Sequence, residues 1–186
     1  QNLGTKHGQA LGRLFDSSWL TLFSSVSNGV TASSTLTKDN LLDAIYNVMS
    51  SIKGAANGGR LAGVFDYKGI NEVRKEITST TGTAFSNLEL LDLVRNAGVA
   101  NNNHLAGEFT GCVLYQMTGL PTVSSDDVGC IFHPELAFAA GFGGEFQTDI
   151  DTPRGSNGFV YEISSHFFYD VEIWNNSAAC KVRSDT

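Results

Sequence analysis

The sequence predicts an α+β fold. Segments with helical hydrophobic spacing fill the first half of the 186-residue chain and β-branched or aromatic runs fill the second. The two kinds do not alternate as βαβ units would. The length suffices for one domain burying about 70% of its unfolded surface, or for two small lobes. A hydrophobic content of 41% against 17% charge is that of a folded chain, not a disordered one.

The first helix is expected from Gly8 to Ser27, where Leu11, Leu14, Phe15, Trp19, Leu22 and Phe23 recur as one broad apolar stripe. Asn28-Gly29 ends it, and Ser/Thr-rich residues 31–35 read as a linker. Thr37 is placed to cap a second helix, with Leu36 and Leu41 set to staple its start. Leu41, Leu42, Ile45, Val48, Met49 and Ile52 are expected on one face, and Lys53-Gly54 supplies the stop. A Gly/Asn-rich turn, Gly54 to Gly59, leads to a short strand from Leu61 to Phe65. Asp66 can cap a third helix carrying Ile70, Val73 and Ile77. Residues 86–98 read as a fourth helix, because Ser86 and Glu89 have capping-box spacing and Gly98 closes it.

After Asn101 to Asn103 the period changes. Phe109 to Met117 reads as a strand, Gly119-Leu120-Pro121 as a turn, and Gly129 to His133 as a short buried strand. Pro134 suits the first position of a brief helix through Phe142. Two or three strands are expected between Gly158 and Arg183.

A net charge of −7 with twelve scattered basic residues, the densest being Arg74-Lys75, argues against a dedicated nucleic-acid-binding surface. A container wall for DNA can nevertheless be acidic, since it holds the polymer without gripping it. The longest apolar runs, such as Leu136 to Ala140, fall far below the roughly 20 residues that span a bilayer. The start, Gln1 to Gly12, has no apolar stretch of a secretory signal. Because the first residue is Gln1 and not Met, further residues are expected upstream, removed by a protease or belonging to a longer product.

Each candidate for chemistry has a structural reading that suits it better. Cys112, Cys130 and Cys180 are an odd set without CxxC spacing, each in an apolar run. They are expected to be buried free thiols in strands, in a chain folded in a reducing cytoplasm. Gly143-Gly144-Glu145-Phe146 resembles the signature loop of diguanylate cyclases but carries one acid where that motif has two, so a glycine-rich surface turn is expected. Asp126-Asp127 and Asp149 with Asp151 are pairs of the kind that hold Mg²⁺ or Ca²⁺. Lacking a spaced ligand series, they read as solvated turn acids. His7, His104, His133 and His166 are far apart, and His133, just before Pro134, suits a capping or packing role. Asn175-Asn176-Ser177 matches a glycosylation sequon by coincidence. No catalytic, cofactor-binding or metal-ligating residue is assigned, and no cofactor is expected.

From Leu36 onward the order of features resembles the C-terminal portion of tailed-bacteriophage major capsid proteins, whose Hong Kong 97-type capsid fold is shared with encapsulins. The capped helix Thr37 to Ile52 precedes a strand and a helix. Gly107-Glu108-Phe109-Thr110-Gly111-Cys112-Val113-Leu114-Tyr115 is similar to that family's strand entry, and Leu120-Pro121 to its hydrophobic-Pro pair. Gly129-Cys130-Ile131-Phe132-His133-Pro134-Glu135-Leu136-Ala137 resembles its strand-to-helix step. Phe168-Tyr169-Asp170-Val171-Glu172-Ile173 looks like its closing strand, with Asp170 at the usual glycine.

The resemblance implies a mixed-sheet capsid fold with a spine-type helix and peripheral and axial subdomains. Residues 1–30 would be the end of the spine helix. Residues 31–186 would form the peripheral and axial core, with the last strands returning to the peripheral region. It implies a structural subunit, not an enzyme, that assembles with copies of itself into hexamers and pentamers around double-stranded DNA without sequence-specific contacts. Scaffolding, portal and decoration proteins are its further implied partners, a membrane is not, and the place is the virion, assembled in the host cytoplasm. Loops around Ser124 to Asp127 or Gly143-Gly144 would touch neighbours. An encapsulin-like shell, or an unrelated soluble α+β enzyme or binding module, are the alternatives.

Overall fold

The computed structural model describes residues 3–32, 35–52, 60–80, 104–151 and 162–184. Helix α1 spans Leu3–Ser25, starting before the expected Gly8 and ending just short of Ser27. Its last turn is held by groups distant in sequence. Ser27 N–H donates to Asn176 Oδ1 (3.1 Å), and the Lys181 ammonium donates to the Ser24 carbonyl (3.1 Å). The ammonium satisfies a C-terminal carbonyl that lacks an intrahelical partner and complements the negative end of the helix, while the Ser27 contact fixes the chain as it leaves α1.

Strand β1, Gly29–Thr31, follows directly and pairs in parallel with β9, Ala179–Ser184. Thr31 was expected in a linker; it forms a strand because β9, far along the chain, supplies the hydrogen-bonding edge. Helix α2, Lys38–Ile52, starts where the cap predicts. Asn40 N–H donates to Thr37 Oγ1 and Thr37 N–H to Asn40 Oδ1, a reciprocal box with Asn in the usual Glu position. Strand β2, Leu61–Phe65, is buried throughout. The Asp66 carboxylate then accepts from Lys68 N–H (2.9 Å) and Gly69 N–H (2.8 Å) to cap α3, Tyr67–Thr80. Ile70, Val73 and Ile77 of α3 are buried as expected. The expected stop at Lys53-Gly54, the turn to Gly59 and the helix over 86–98 lie outside the described residues.

Four expectations in the second half are corrected. The single strand from Phe109 is a hairpin, β3 (Leu105–Phe109) and β4 (Cys112–Gln116). Thr110 and Gly111 both take positive φ (50° and 75°), the two-residue turn whose twist matches a hairpin. The same device recurs where Ser124 and Ser125 (φ 57° and 76°) join β5 (Thr122–Val123) to β6 (Asp126–Phe132). Asp126 and Asp127 are thus strand residues, not turn acids.

The expected helix from Pro134 to Phe142 is absent. Residues 134–137 make a turn, with Leu136 and Ala137 N–H on the His133 carbonyl, and β7 runs from Phe138 to Asp151. A helix would need the Ala137 carbonyl for residue 141. That oxygen instead accepts from Trp174 N–H (2.9 Å) and Asn175 N–H (3.1 Å), at the end of β8 (Glu162–Ile173). Gly143 and Gly144 lie within β7, not in a turn, beside a register break between Gly143 and Gln147.

Among the described residues the main sheet runs β1-β9-β6-β2-β4-β3, with β5 on the start of β6. β1–β9 and β2–β4 are parallel and the other pairs antiparallel, so the sheet is mixed, as expected. One face carries Gly63, Phe65, Leu114 and Ile131 and lies under α2, whose Asn47 reaches Cys180 opposite Ile131. The other carries Phe132, where Trp19 of α1 meets Phe23, Phe132 and Phe138 at ring separations of 5.0 to 5.7 Å. β7 and β8 form a separate antiparallel ribbon along α1. Tyr169 fastens the two, its hydroxyl 2.7 Å from Ser18 Oγ and 3.3 Å from the Leu14 carbonyl.

Candidate assembly surfaces

The groups singled out for chemistry are dispersed by the fold. Cys112, Cys130 and Cys180 sit in β4, β6 and β9, buried and unpaired by disulfides, as expected. Burial, with Glu108 adding to it, pushes the Cys112 thiol up to about 12. Burial likewise holds Cys130 well above its ordinary value and raises Cys180. A thiol is nucleophilic as its thiolate, so these three are inert packing groups at neutral pH.

His133 is 4% exposed. Its Nδ1 accepts from Glu135 N–H (3.3 Å) in the turn that launches β7, while Nε2 is buried without a hydrogen-bond partner. The ring therefore serves the turn, the packing role expected for it. His104 lies near Tyr67 and the Gln116 carbonyl, and His166 sits 3.7 Å from Asp149 across the exposed ribbon. Asp127 is raised by partial burial and then by the Asp66 carboxylate, with Lys68 opposing. Among the described residues no three His, Cys, Asp or Glu side chains gather to hold a metal ion. No described helix is long and apolar enough to cross a membrane.

What the fold does assemble is apolar surface. Phe15 of α1 lies 5.6 Å from Phe142 and 5.3 Å from Tyr169, and Phe167 closes the group. Phe15, Phe142 and Phe167, with Gly8, Leu11 and Gly12, border an open apolar cleft of about 340 Å³. Phe142 and Phe168 remain mostly exposed.

Two further patches lie on the main body. On α2, Leu42, Tyr46 and Met49 face outward, correcting the reading that put Leu42 and Met49 on the core face with Leu41. Their spacing of i, i+4, i+7 is a helical row in its own right, and that signal is present in the sequence. On the sheet, Leu105 is paired opposite Tyr115, which stands two residues beyond Val113 on the same face. Ala62, opposite Val113 and Phe132, ties this patch to the face that α1 covers at its other end. Leu14, expected on the buried stripe of α1, points out, and Leu20 takes a core place instead.

No family model matches the sequence, and no curated protein matches it. Solved structures do. The capsid of the cyanophage P-SCSP1u has a TM-score of 0.64 at 10% identity, covering 98% of this chain and 65% of that one. The holo-SrpI encapsulin complex of Synechococcus elongatus has a TM-score of 0.64 at 12% identity, covering 97% and 64%. The structure from Mycobacterium phage Che8 scores 0.59 at 14% identity, covering 97% and 63%. This chain thus has the fold of capsid and encapsulin shell subunits, as the order of its features suggested. It spans under two thirds of the length of these chains.

Proposed function

We propose that this chain is a structural subunit of a tailed-bacteriophage capsid, assembling with copies of itself into hexamers and pentamers that enclose double-stranded DNA. One observation carries the reading. The fold it shares with shell subunits extends over nearly the whole chain. A wall subunit needs lateral apolar surface and a rigid sheet, and each contact can be modest because closure makes many of them act together.

On this reading residues 1–30 are the end of the spine helix and residues 31–186 the peripheral and axial core. The protein is not an enzyme, uses no cofactor, and resides in the virion after assembly in the host cytoplasm. Scaffolding, portal and decoration proteins complete its partners. The hairpin end formed by the Ser124-Ser125 turn with Asp126 and Asp127, and the Gly143-Gly144 region, contact neighbouring copies. The acidic balance of −7 suits a wall that holds DNA without gripping it.

A second reading, an encapsulin-like compartment, is favoured by the encapsulin match, equal in TM-score to the cyanophage one. Expression of the complete gene product followed by electron microscopy tests both. Closed shells support assembly, and a compact monomer at high concentration refutes it. Nuclease-protected DNA in particles from infected or induced cells supports the phage reading, whereas a co-purifying protein cargo supports the compartment.

A further inference from the structure

Helix α2 is apolar on two sides. Leu41, Ala44, Ile45, Val48 and Ile52 are buried in the core. Leu42, Tyr46 and Met49 are turned outward at 40%, 71% and 52% exposure. The outward row therefore widens the apolar surface of α2 beyond what the core covers, while Asp39, Asp43 and Ser50 keep the remaining side polar and exposed. Across the sheet, on the face away from α2, Leu105 (47%) and Tyr115 (37%) with the half-buried Val113 form the second uncovered patch.

The charges at the two rims decide how these patches pair. Asp39 and Asp43 are exposed along the α2 row, three residues before Leu42 and Tyr46. An α2-to-α2 contact would therefore set four carboxylates against one another. The sheet patch has no such excess. Glu108, opposite Val113, is matched by Arg60 at 3.5 Å, and the Arg60 side chain is 72% exposed and open to a second carboxylate.

Size points the same way. Each patch is made of only three partly exposed side chains, so neither approaches the ~800 Å² per partner of a stable pair. Neither makes a durable dimer, but repeated contacts in a closed ring do.

We propose that the Leu42-Tyr46-Met49 row of one copy packs on the Leu105-Val113-Tyr115 patch of the next, a head-to-tail contact that propagates around a ring. The occupant of each patch is a second copy of this chain, and the inference rests on the shell reading. Because one patch is on the α2 side of the sheet and the other on the sheet face away from α2, each copy can donate one and receive on the other. Contacts of this heterologous kind close into rings when the rotation permits.

Thiol crosslinking tests it, since the native cysteines are buried. The complete gene product carrying Met49→Cys and Leu105→Cys is assembled and treated with a short bis-maleimide. A ladder rising one subunit at a time is expected, while each single variant stays monomeric on a denaturing gel. Tyr46→Cys with Tyr115→Cys is a second pair should the first not fold, and Tyr46→Asp is expected to raise the assembly threshold about tenfold or more. Particles in which both double variants stay monomeric would overturn the proposal, as would dimers from Met49→Cys alone. Those results leave the shell reading standing, whereas unmodified protein that never assembles removes both.

Discussion

Gly129 on β6 is the position where a single added carbon should be felt most. A Cβ there would stand 2.4 Å and 2.7 Å from two ring carbons of Phe65 and 2.8 Å from the Val64 carbonyl oxygen. Carbon atoms pack favourably at about 3.5–4.0 Å, so the ring would have to retreat by more than about 1 Å. It has little room. Phe65 is 2% exposed, and an added Cβ at Gly63, the glycine on its other flank, would lie 3.1 Å from the same ring. The Val64 oxygen is backbone and cannot rotate aside. Gly129→Ala is therefore expected to cost about 1–3 kcal/mol, the usual range for overpacking. For a chain of this size that is a fall of about 2–12 °C in Tm. Denaturation of the unassembled subunit, followed by fluorescence of the partly buried Trp19, measures it. Phe65→Leu in the same chain should recover part of the loss, because the ring is the chief obstacle, though the carbonyl contact persists. A Gly129→Ala protein that melts with the parent would refute this account of the β2–β6 contact. So would strict additivity with Phe65→Leu.

Other expectations follow from the same geometry. Burial raises all three thiols above their ordinary value, and carries Cys112 up to about 12. The stabilising effect of the retained Cys112 proton is complete below about pH 8.5 and is lost as pH rises towards 12, at up to about 1.4 kcal/mol per pH unit; Cys112→Ala should flatten the alkaline limb of a stability-against-pH curve while lowering its plateau. Asp66→Ala removes the carboxylate that caps α3 and should cost about 0.5–2 kcal/mol in chemical denaturation. Tyr169→Phe breaks the hydroxyl contacts with Ser18 and Leu14 of α1, and should cost about 0.5–1.5 kcal/mol. Its effect should appear as faster amide exchange in β7 and β8, with the main sheet unchanged.

Elements with a local cause were legible in the sequence. Thr37 and Asp66 announce their helices because a cap acts within three residues, and the buried run Gly129 to His133 announces β6 because composition alone implies burial. Elements whose cause is distant were not. β1 exists because β9 pairs with it, and β7 replaces a helix because Trp174 and Asn175 occupy the Ala137 carbonyl. The turns at Thr110-Gly111 and Ser124-Ser125 lack the Asn-Gly or Asp-Gly signature, so the first was absorbed into one long strand. The burial of the three cysteines followed from their neighbours in sequence. The assembly surfaces were half visible. The Leu42-Tyr46-Met49 row was present but merged with the core row beside it, since two adjacent stripes on one helix blur into a single wide one. The Leu105-Tyr115 patch depends on which strands lie side by side, which no local pattern specifies.

The central claim is that copies of this chain close into a shell, and cryo-electron microscopy of the purified complete gene product tests it most directly. Closed particles with hexameric and pentameric rings, in which the fold of the described residues fits the wall density, are the expected result. A homogeneous monomer near the mass of a single chain, at concentrations where capsid proteins assemble and with any scaffolding partner supplied, would contradict it.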